Sequence, residues 1–521
     1  MLNKDAPWLV PIYATIAFLV EIVVYFYVLP ESQSHRLQSS LAETESLIFF
    51  HFLALYSSIV VYRVFFHPLR RYPGPILARI TNFWHVYKCL DAKNHLLLEK
   101  LHEQYGPIVR VGPQELSIVS PDIHLAMSGA RTKCTKAALY DLTLPSRGLN
   151  VTRNTSEHDR RKKVWDPGFT ASVALESYHG RIVFYGDQLL QYLQSKQNQP
   201  IDVRECFYWF AFDIMGDLAL GRSFNMLRNG QWHNVLATMR KGMSMLGPLT
   251  PVPWLARVGM AIPGAMKDWN NMCKWCEERM RERLQMGVKE LDISHWLIEG
   301  SRNGNGDYDW DWLSGDALSI ITAGSDTVAT TLVFAFYVLA LYPEEQRKLR
   351  RSLPPAVDIG SQEKLAQMAH LNAFLNEVLR LYPAVPSGGY RIVGEQGLPI
   401  ASLNTIIPPE TIITGPRWSI SRLESCFEQA HDFIPDRWTT RAHMVKDKRA
   451  FVPFNQGRYS CIGKNLAWIE LRHILALLVS RFEVTFGPGE DGSRFLADMK
   501  DTFAAAPGMC SLVFKDIGSS V

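Results

Sequence analysis

Residues 454–482 read FNQGRYSCIGKNLAWIELRHILALLVSRF, a glycine-bracketed cysteine loop running straight into an apolar helix. In the helical part Leu466, Ile469, Ile474, Leu475, Leu477 and Leu478 recur roughly on one stripe, which predicts a helix packed on a core. Cys461 then caps that helix, with Arg458 nearby, and both features favour a thiolate over a thiol. Gly457 and Gly463 can take backbone angles closed to other residues and let amides approach the sulfur, while Phe454 is placed to shield it from water. A thiolate so placed suits iron. The loop alone leaves a second reading open, since many cysteines are small buried hydrophobes and one cysteine fixes no metal geometry.

The chain around this loop has 521 residues, 47% hydrophobic and 20% charged, with no interior Ser/Gly-rich, Pro-rich or charged linker. That composition predicts one large catalytic unit with ample core material and excludes a disordered chain. A net charge of +4, with aromatics that do not alternate with basic residues, gives no footprint for nucleic acid. The 8 cysteines are too sparse for a disulfide framework and point to a reducing compartment. Cys273 and Cys276 form a CxxC, but no second CxxC or histidine pair lies near it, so it is read as part of a charged helix.

Residues 1–66 read as a membrane anchor region. Its first part, 8–29, is nearly continuous apolar sequence interrupted only by Glu21, long enough to cross about 30 Å of hydrocarbon. The stretch 47–62 is shorter and contains His51, so it is either a second span or an interfacial helix. Glu31, Glu43 and Glu45 outnumber Arg36 between the two stretches, whereas Arg63, Arg70 and Arg71 follow the second, placing the body in the cytosol by the positive-inside rule. The sequons at Asn150 and Asn154 are then unglycosylated coincidences. A proline-rich hinge, residues 67–76, makes a stiff, non-helical exit, and residues 77–521 form the body.

Within the body, YGPIVRVGPQELSIVS from Tyr105 reads as a β-hairpin turned at Gly112-Pro113. Helical spacing recurs over 205–228, 232–246, 264–286, 313–342 and 363–382, and 385–415 is β-like. The fold class is therefore mainly α with a small β portion. The segment 318–342 is apolar enough for a membrane span, yet Gly324 and Asp326 at its centre favour a buried helix crossing a core. Adjacent Asp326 and Thr327 could open that helix's hydrogen bonding, hold a water and relay protons.

Four motifs together resemble the cytochrome P-450 family of haem-thiolate monooxygenases, over roughly 67 to 515: FNQGRYSCIG (454–463), ITAGSDT (321–327), NEVLR (376–380) and FIPDRW (433–438). The resemblance implies that family's fold, a haem b cofactor and Cys461 as the axial thiolate ligand to iron. It further implies that Asp326 and Thr327 route protons to bound dioxygen and that Glu377, Arg380 and Arg437 form a structural triad. Arg391, His158 and Lys162 fall where the family places contacts to the haem propionates. Two departures stand out: Tyr459 replaces a commonly basic residue two positions before the cysteine, with Arg458 as its substitute, and His158 stands in for a tryptophan often found in its helix.

The same resemblance implies electrons from an NADPH-cytochrome reductase, dioxygen as co-substrate and a lipophilic small molecule as substrate. Arg160, Arg161, Lys162 and Lys163 are read either as a solvated helix face or as a docking patch for that acidic donor. The anchor and motif wording most resemble endoplasmic-reticulum members from filamentous fungi, many of which tailor secondary metabolites. Rival readings are a same-fold isomerase or dehydratase working without reductase and a non-catalytic haem-binding protein; Asp326 and Thr327 favour the monooxygenase. Specificity is expected from 115–150, 206–260 and the turn 384–388.

Overall fold

The computed structural model describes residues 10–23, 36–143, 147–243, 246–262, 264, 267–287, 291–302, 305–354 and 359–518. Helices α1 (Val10–Val23) and α2 (Arg36–Val61) open the chain, and a π-helical turn, Tyr62–Phe66, continues α2. Glu45–Phe66 thereby makes 22 helical residues, whose most apolar window has mean hydropathy 1.7 and none of it buried, so the second apolar stretch runs longer than 47–62. The rest of the 8–29 stretch lies outside the described residues. The hinge is not wholly non-helical: Pro68–Arg71 forms a 3-10 turn whose cap, His67 Nδ1, accepts from the Leu69 amide at 3.1 Å.

Short helices α3 (Ile76–Ile80) and α4 (Phe83–Lys88) and the longer α5 (Asn94–Tyr105) lead to β1 (Ile108–Gly112) and β2 (Glu115–Ile118). Then come α6 (Ile123–Ser128), β3 (Thr135–Lys136), α7 (Thr155–Thr170), α8 (Ser172–Ser195), β4 (Pro200–Asp202) and α9 (Val203–Leu220). A run of helices follows: α10 (Met226–Asn229), α11 (Asn234–Met243), α12 (Leu246–Leu249), α13 (Pro253–Ala261), α14 (Lys267–Gln285) and α15 (Ile293–Glu299). The centre of the chain is α16 (Trp310–Leu341), followed by α17 (Pro343–Ser352), α18 (Gln362–Gln367) and α19 (Ala369–Leu381). Strands β5 (Arg391–Ile392), β6 (Leu398–Ile400), β7 (Thr405–Ile407) and β8 (Ile412–Thr414) fill the β-like region, and α20 (Arg417–Ile420) follows. After α21 (Lys464–Arg481) the chain ends in β9 (Phe482–Phe486), α22 (Ser493–Ala497), β10 (Lys500–Thr502), β11 (Ala504–Ala506) and β12 (Ser511–Asp516).

Local chemistry places the helix ends. Asn154 accepts from the amides of Ser156 and Glu157 to start α7, Asp202 caps α9 and Asp309 caps α16, each leaving fewer orphan donors in the first turn. Left-handed Gly221 ends α9. The five-stranded sheet has the order β1-β2-β8-β5-β3, and β4-β12-β9 form a second sheet. Within the first, β1 and β2 are the expected antiparallel hairpin, Ile108 opposite Ile118.

One large apolar core runs along α16, whose neighbours include α9, α14, α19 and α21. Helix α16 passes a test of length and apolarity for a membrane span, but 78% of its most apolar window is buried inside the protein. Its hydrophobicity serves the core, as Asp326 and Gly324 suggested. The helix is continuous through 310–341, so the expected break at Asp326-Thr327 does not occur.

Candidate active site

Cys461 lies two residues before the N-cap of α21, which is Gly463 and not the cysteine itself. The loop is closed by the Cys461 amide, which donates to the Phe454 carbonyl at 2.7 Å, and Phe454 packs 6.0 Å from the Trp468 ring. Gly457 is required for a different reason than amide delivery: at φ +65° it lies so close to α6 that a Cβ would sit 2.2 Å from the Ser128 carbonyl oxygen. Cys461 is exposed to a cavity of about 480 Å³ that it helps to line. Burial pushes the Cys461 thiol up, against the Gly463 amide and the Lys464 charge, which pull it down. Arg458 does not supply the expected charge: its guanidinium is paired with Asp159 at 2.8 Å. A metal cation at the sulfur would offset the desolvation and favour the thiolate.

Basic side chains gather on one side of the same cavity. Lys136, His158, Lys162, Arg391 and Arg417 all line it, together with Tyr140 and Tyr459. The Arg391 guanidinium stacks over Tyr459 at 4.4 Å, Lys136 Nζ lies 5.4 Å from that ring, and His158 meets it edge-on at 5.0 Å. Tyr459, which departs from the family's basic residue, thus organises the cations around its face while its hydroxyl donates to the Cys134 carbonyl. Burial, and then repulsion from Arg391, hold Lys136 well below its ordinary range and Arg417 down to about 10. Burial and Lys136 bring His158 to about 4. Arg391 Nε is buried without a partner among the described residues.

Buried cations crowded together call for an anion. A planar macrocycle carrying two carboxylates, with its metal over Cys461, satisfies both the orphaned donor and the thiol, so the residues present fit haem.

Opposite the cysteine loop stands α16, presenting Ala323, Gly324, Asp326 and Thr327 to the cavity. Thr327 Oγ1 donates to the Ala323 carbonyl at 2.8 Å, a back-bond within its own turn. Asp326 is pushed up to about 6 by burial, opposed by the nearby Arg240 charge and the Tyr208 hydroxyl. Arg240 is itself sandwiched, 4.3 Å from the Tyr208 ring and 4.4 Å from Trp232. The Tyr208 hydroxyl also shares a hydrogen bond with Thr330 at 2.9 Å.

Glu377, Arg380 and Arg437 meet away from the cavity and are fully buried. Glu377 accepts from Arg380 at 2.9 and 2.8 Å, from Arg437 at 2.8 Å, from the Trp438 indole at 2.9 Å and from the Ile434 amide at 2.9 Å. Both arginines then tie down carbonyls of the chain between α20 and the Pro435–Trp438 turn, among them Ala430, Glu428 and Gln429. The sequence motif contained Trp438 without revealing its bond.

The basic run on α7 divides. Arg160 and Lys163 are exposed, Lys162 is half-buried on the cavity and Arg161 is buried. Arg161 pairs with Asp316 of α16 at 2.5 Å, and the Trp165 indole donates to the same carboxylate at 2.9 Å. Arg161 therefore belongs neither to a solvated face nor to a docking patch. Lys136, Arg417 and the Arg161–Asp316 pair escaped the sequence reading, because nothing local to them differs from a surface charge. Of the segments expected to set specificity, Leu139, Leu149, Met215, Met243, Thr250 and Val385 do reach the cavity; Trp269 and Phe503 reach it from outside those segments. Cys276 is buried and Cys273 half-buried on α14, and no cluster of metal-ligating residues occurs among the described residues.

A family model described as Cytochrome P450 matches residues 73–509. A cytochrome P450 monooxygenase of Eupenicillium brefeldianum is 35% identical over 472 residues, 90% of this chain and 95% of the relative. One from Phaeosphaeria nodorum is 36% identical over 474 residues, 89% of this chain and 98% of the relative. The tryprostatin B 6-hydroxylase of Neosartorya fischeri is 35% identical over 471 residues, 89% of this chain and 85% of that enzyme. The crystal structure of a cytochrome P450 haem domain matches with a TM-score of 0.69 at 17% identity, covering 83% of this chain and 95% of that one, a likeness of fold.

Proposed function

This chain belongs to the cytochrome P450 family and is a monooxygenase of that family, and from that premise we propose that Cys461 holds haem b and that the enzyme hydroxylates a lipophilic secondary metabolite. The observation that carries the reading is the shared cavity: the Cys461 sulfur, the cationic cluster and Asp326-Thr327 all border it. Bound haem would supply dioxygen binding and activation, with thiolate ligation favouring O–O cleavage. Lys136, His158, Lys162, Arg391 and Arg417 would hold its propionates.

The remaining work falls to this chain's own side chains. Leu139, Leu149, Met215, Met243, Val385 and Phe503 exclude water and suit an apolar substrate. Thr327 Oγ1, its proton engaged by Ala323, keeps lone pairs with which to orient a water in the cavity. Asp326, near 6, can take up and release a proton at neutral pH. Electrons would come from an NADPH-cytochrome reductase.

Membrane attachment is supported by the exposed apolar helix Glu45–Phe66 and by the surface around its exit. Phe65, Phe66, Ile76, Leu77, Phe83 and Ile406 are exposed there, Arg71 reaching the Ile406 carbonyl and Phe83 meeting Trp254 of α13. We place the protein on the endoplasmic-reticulum membrane with the body in the cytosol. Asn150 fits that side, since its Oδ1 is engaged as acceptor from Ser319 Oγ at 2.6 Å on the cavity wall.

The test is spectroscopic first: the ferrous–CO complex should show the red-shifted Soret band of thiolate ligation, and Cys461→Ser should lose it. Retention of that band in the variant would overturn the ligand assignment. Comparing metabolites of a host with and without the chain should then reveal one accumulated lipophilic precursor; an unchanged profile would count against the substrate class.

A further inference from the structure

Asn150 lies in the loop 147–153 that leads into α7, exposed and on the wall of the cavity. That loop is held without help from the Asn150 side chain. The amide of Arg147 donates to the Asp311 carbonyl at 3.0 Å and that of Leu149 to Asp316 Oδ1 at 3.3 Å, while Lys136 Nζ donates to the Leu149 carbonyl at 2.9 Å. The amides of Val151 and Thr152 and the Thr152 hydroxyl close a turn on the Gly148 carbonyl. Two glycines let the loop lie directly on α16: a Cβ on Gly315 would stand 2.1 Å from the Arg147 carbonyl oxygen, and one on Gly148 2.3 Å from Ser319 Oγ. Asn150 is therefore carried on a fixed backbone, which has little freedom left to lose when a ligand binds.

Ser319 of α16 fixes which end of the amide is free. Its Oγ donates to Asn150 Oδ1 at 2.6 Å. The Gly315 carbonyl, 2.8 Å from the same Oγ, already accepts within the backbone ladder of the helix, so the single hydroxyl proton goes to the closer asparagine oxygen. Asn150 Nδ2 is left with two protons and donates to nothing among the described residues. Other hydroxyls that line the cavity from α16 spend their protons on their own helix, Thr322 on the Leu318 carbonyl and Thr327 on the Ala323 carbonyl, each at 2.8 Å. Leu149, Val151 and Leu318, the chain neighbours of Asn150 and Ser319, line the same cavity and are apolar. A free N–H donor on an apolar wall separates ligands that carry an acceptor from those that do not.

We propose that Asn150, positioned by Ser319, donates to a carbonyl oxygen of the substrate, which is thus an apolar molecule anchored by a ketone, amide or lactone and oxidised at a carbon remote from that carbonyl. The separation follows from α16: Ser319 and Thr327 are eight residues apart on one continuous helix, about 12 Å along its axis. The proposal rests on the monooxygenase reading, in which the reaction takes place beside Thr327. It adds the polar group the substrate carries and the side of the molecule, away from that group, that oxygen enters. Asn150 makes the contact; Ser319 is a positioning residue.

Probes that ligate haem iron at one end and carry the carbonyl at the other test this without turnover. ω-(Imidazol-1-yl)alkyl methyl ketones of increasing chain length, each paired with the 1-alkylimidazole of the same length, are titrated into the full-length haem protein and followed by the Soret shift of nitrogen ligation. Short ketones should bind no better than their partners; at one longer span the ketone should bind about fivefold to tenfold tighter than its partner. Asn150→Leu should abolish that advantage at every length, and Ser319→Ala should shrink it by letting the amide turn. Asn150→Gln, whose amide reaches one methylene further, should restore the advantage at a shorter chain, a shift that bracing of the loop would not produce. A ketone advantage equal in wild type and Asn150→Leu, or absent from wild type at every length, overturns the proposal. If Asn150→Leu takes up no haem, Asn150→Gln decides, and an optimum that stays at the wild-type length sinks the proposal. A wild type with no thiolate Soret band and no nitrogen shift for any imidazole would instead reject the monooxygenase reading, so the two failures are distinguishable.

Discussion

At Glu377 a single carboxylate accepts five hydrogen bonds, four of them from side chains, and balances two buried guanidinium groups. Removing its charge leaves both arginines buried and unpaired, which costs about 3–5 kcal/mol. Glu377→Gln should therefore yield little folded haem protein, checked by Soret absorbance per polypeptide and by thermal melting. In the proposed function Thr327 and Asp326 serve the chemistry more than the fold. Thr327→Ala and Asp326→Asn should keep the Soret spectrum yet divert NADPH electrons to hydrogen peroxide, lowering product per NADPH by about tenfold or more. Unchanged coupling in both would remove them from the proton route.

The contact between α7 and α16 is an element-scale device. Arg161 and Trp165 from α7 converge on Asp316 of α16, and the same α7 carries His158 and Lys162 to the cationic side of the cavity. Breaking one partner of this buried pair costs about 3–5 kcal/mol, while replacing both by apolar residues of similar size costs far less. Asp316→Asn should lower the melting temperature and the haem content together, and the double variant Arg161→Met, Asp316→Leu should recover part of both. At the other end of the molecule, deleting residues 1–66 should release the protein from intact membranes only in part. Ile76, Leu77 and Phe83 remain exposed on the truncated body, which should still bind lipid vesicles; full solubility without vesicle binding would refute the membrane-facing surface.

Across the whole molecule, buried titratable groups set the pH range of stability. Glu115 and Asp501 are held up at about 7 and Glu470 at about 8 by burial. Their raised values mean stability that is fully present below the ordinary carboxylate range and is lost as pH rises through 7 to 8. Histidines act in the opposite sense: burial lowers His95 to about 3 and His102, His158 and His473 to about 4. The unfolded chain takes up protons at these histidines from about pH 6.5 downward while the folded one resists, so stability falls as pH drops toward 4. The melting temperature should peak near about pH 6.5 and decline on both sides. A monotonic rise through pH 8 would show that the carboxyls are ionised in the fold.

The cysteine loop, the triad motif, the Asp326-Thr327 pair and the helical character of 313–342 were legible in the sequence, because each is written in local spacing: a period, a glycine or a fixed interval between charges. Those intervals also named the family. What local spacing cannot carry is desolvation, which is a property of the enclosing fold. Lys136 on β3, Arg417 at the start of α20 and Arg161 on α7 look like surface charges until the packing of distant segments removes their water. For the same reason Arg458, adjacent in sequence to the expected site, is claimed by Asp159, and Tyr459 takes its place against the cations. The expected opening of α16 does not occur: the helix runs unbroken, and the Thr327 hydroxyl bonds within its own turn. The sequence by itself determined the helix pattern and the family; the tertiary structure alone decided which charges are buried, because desolvation depends on how distant segments pack.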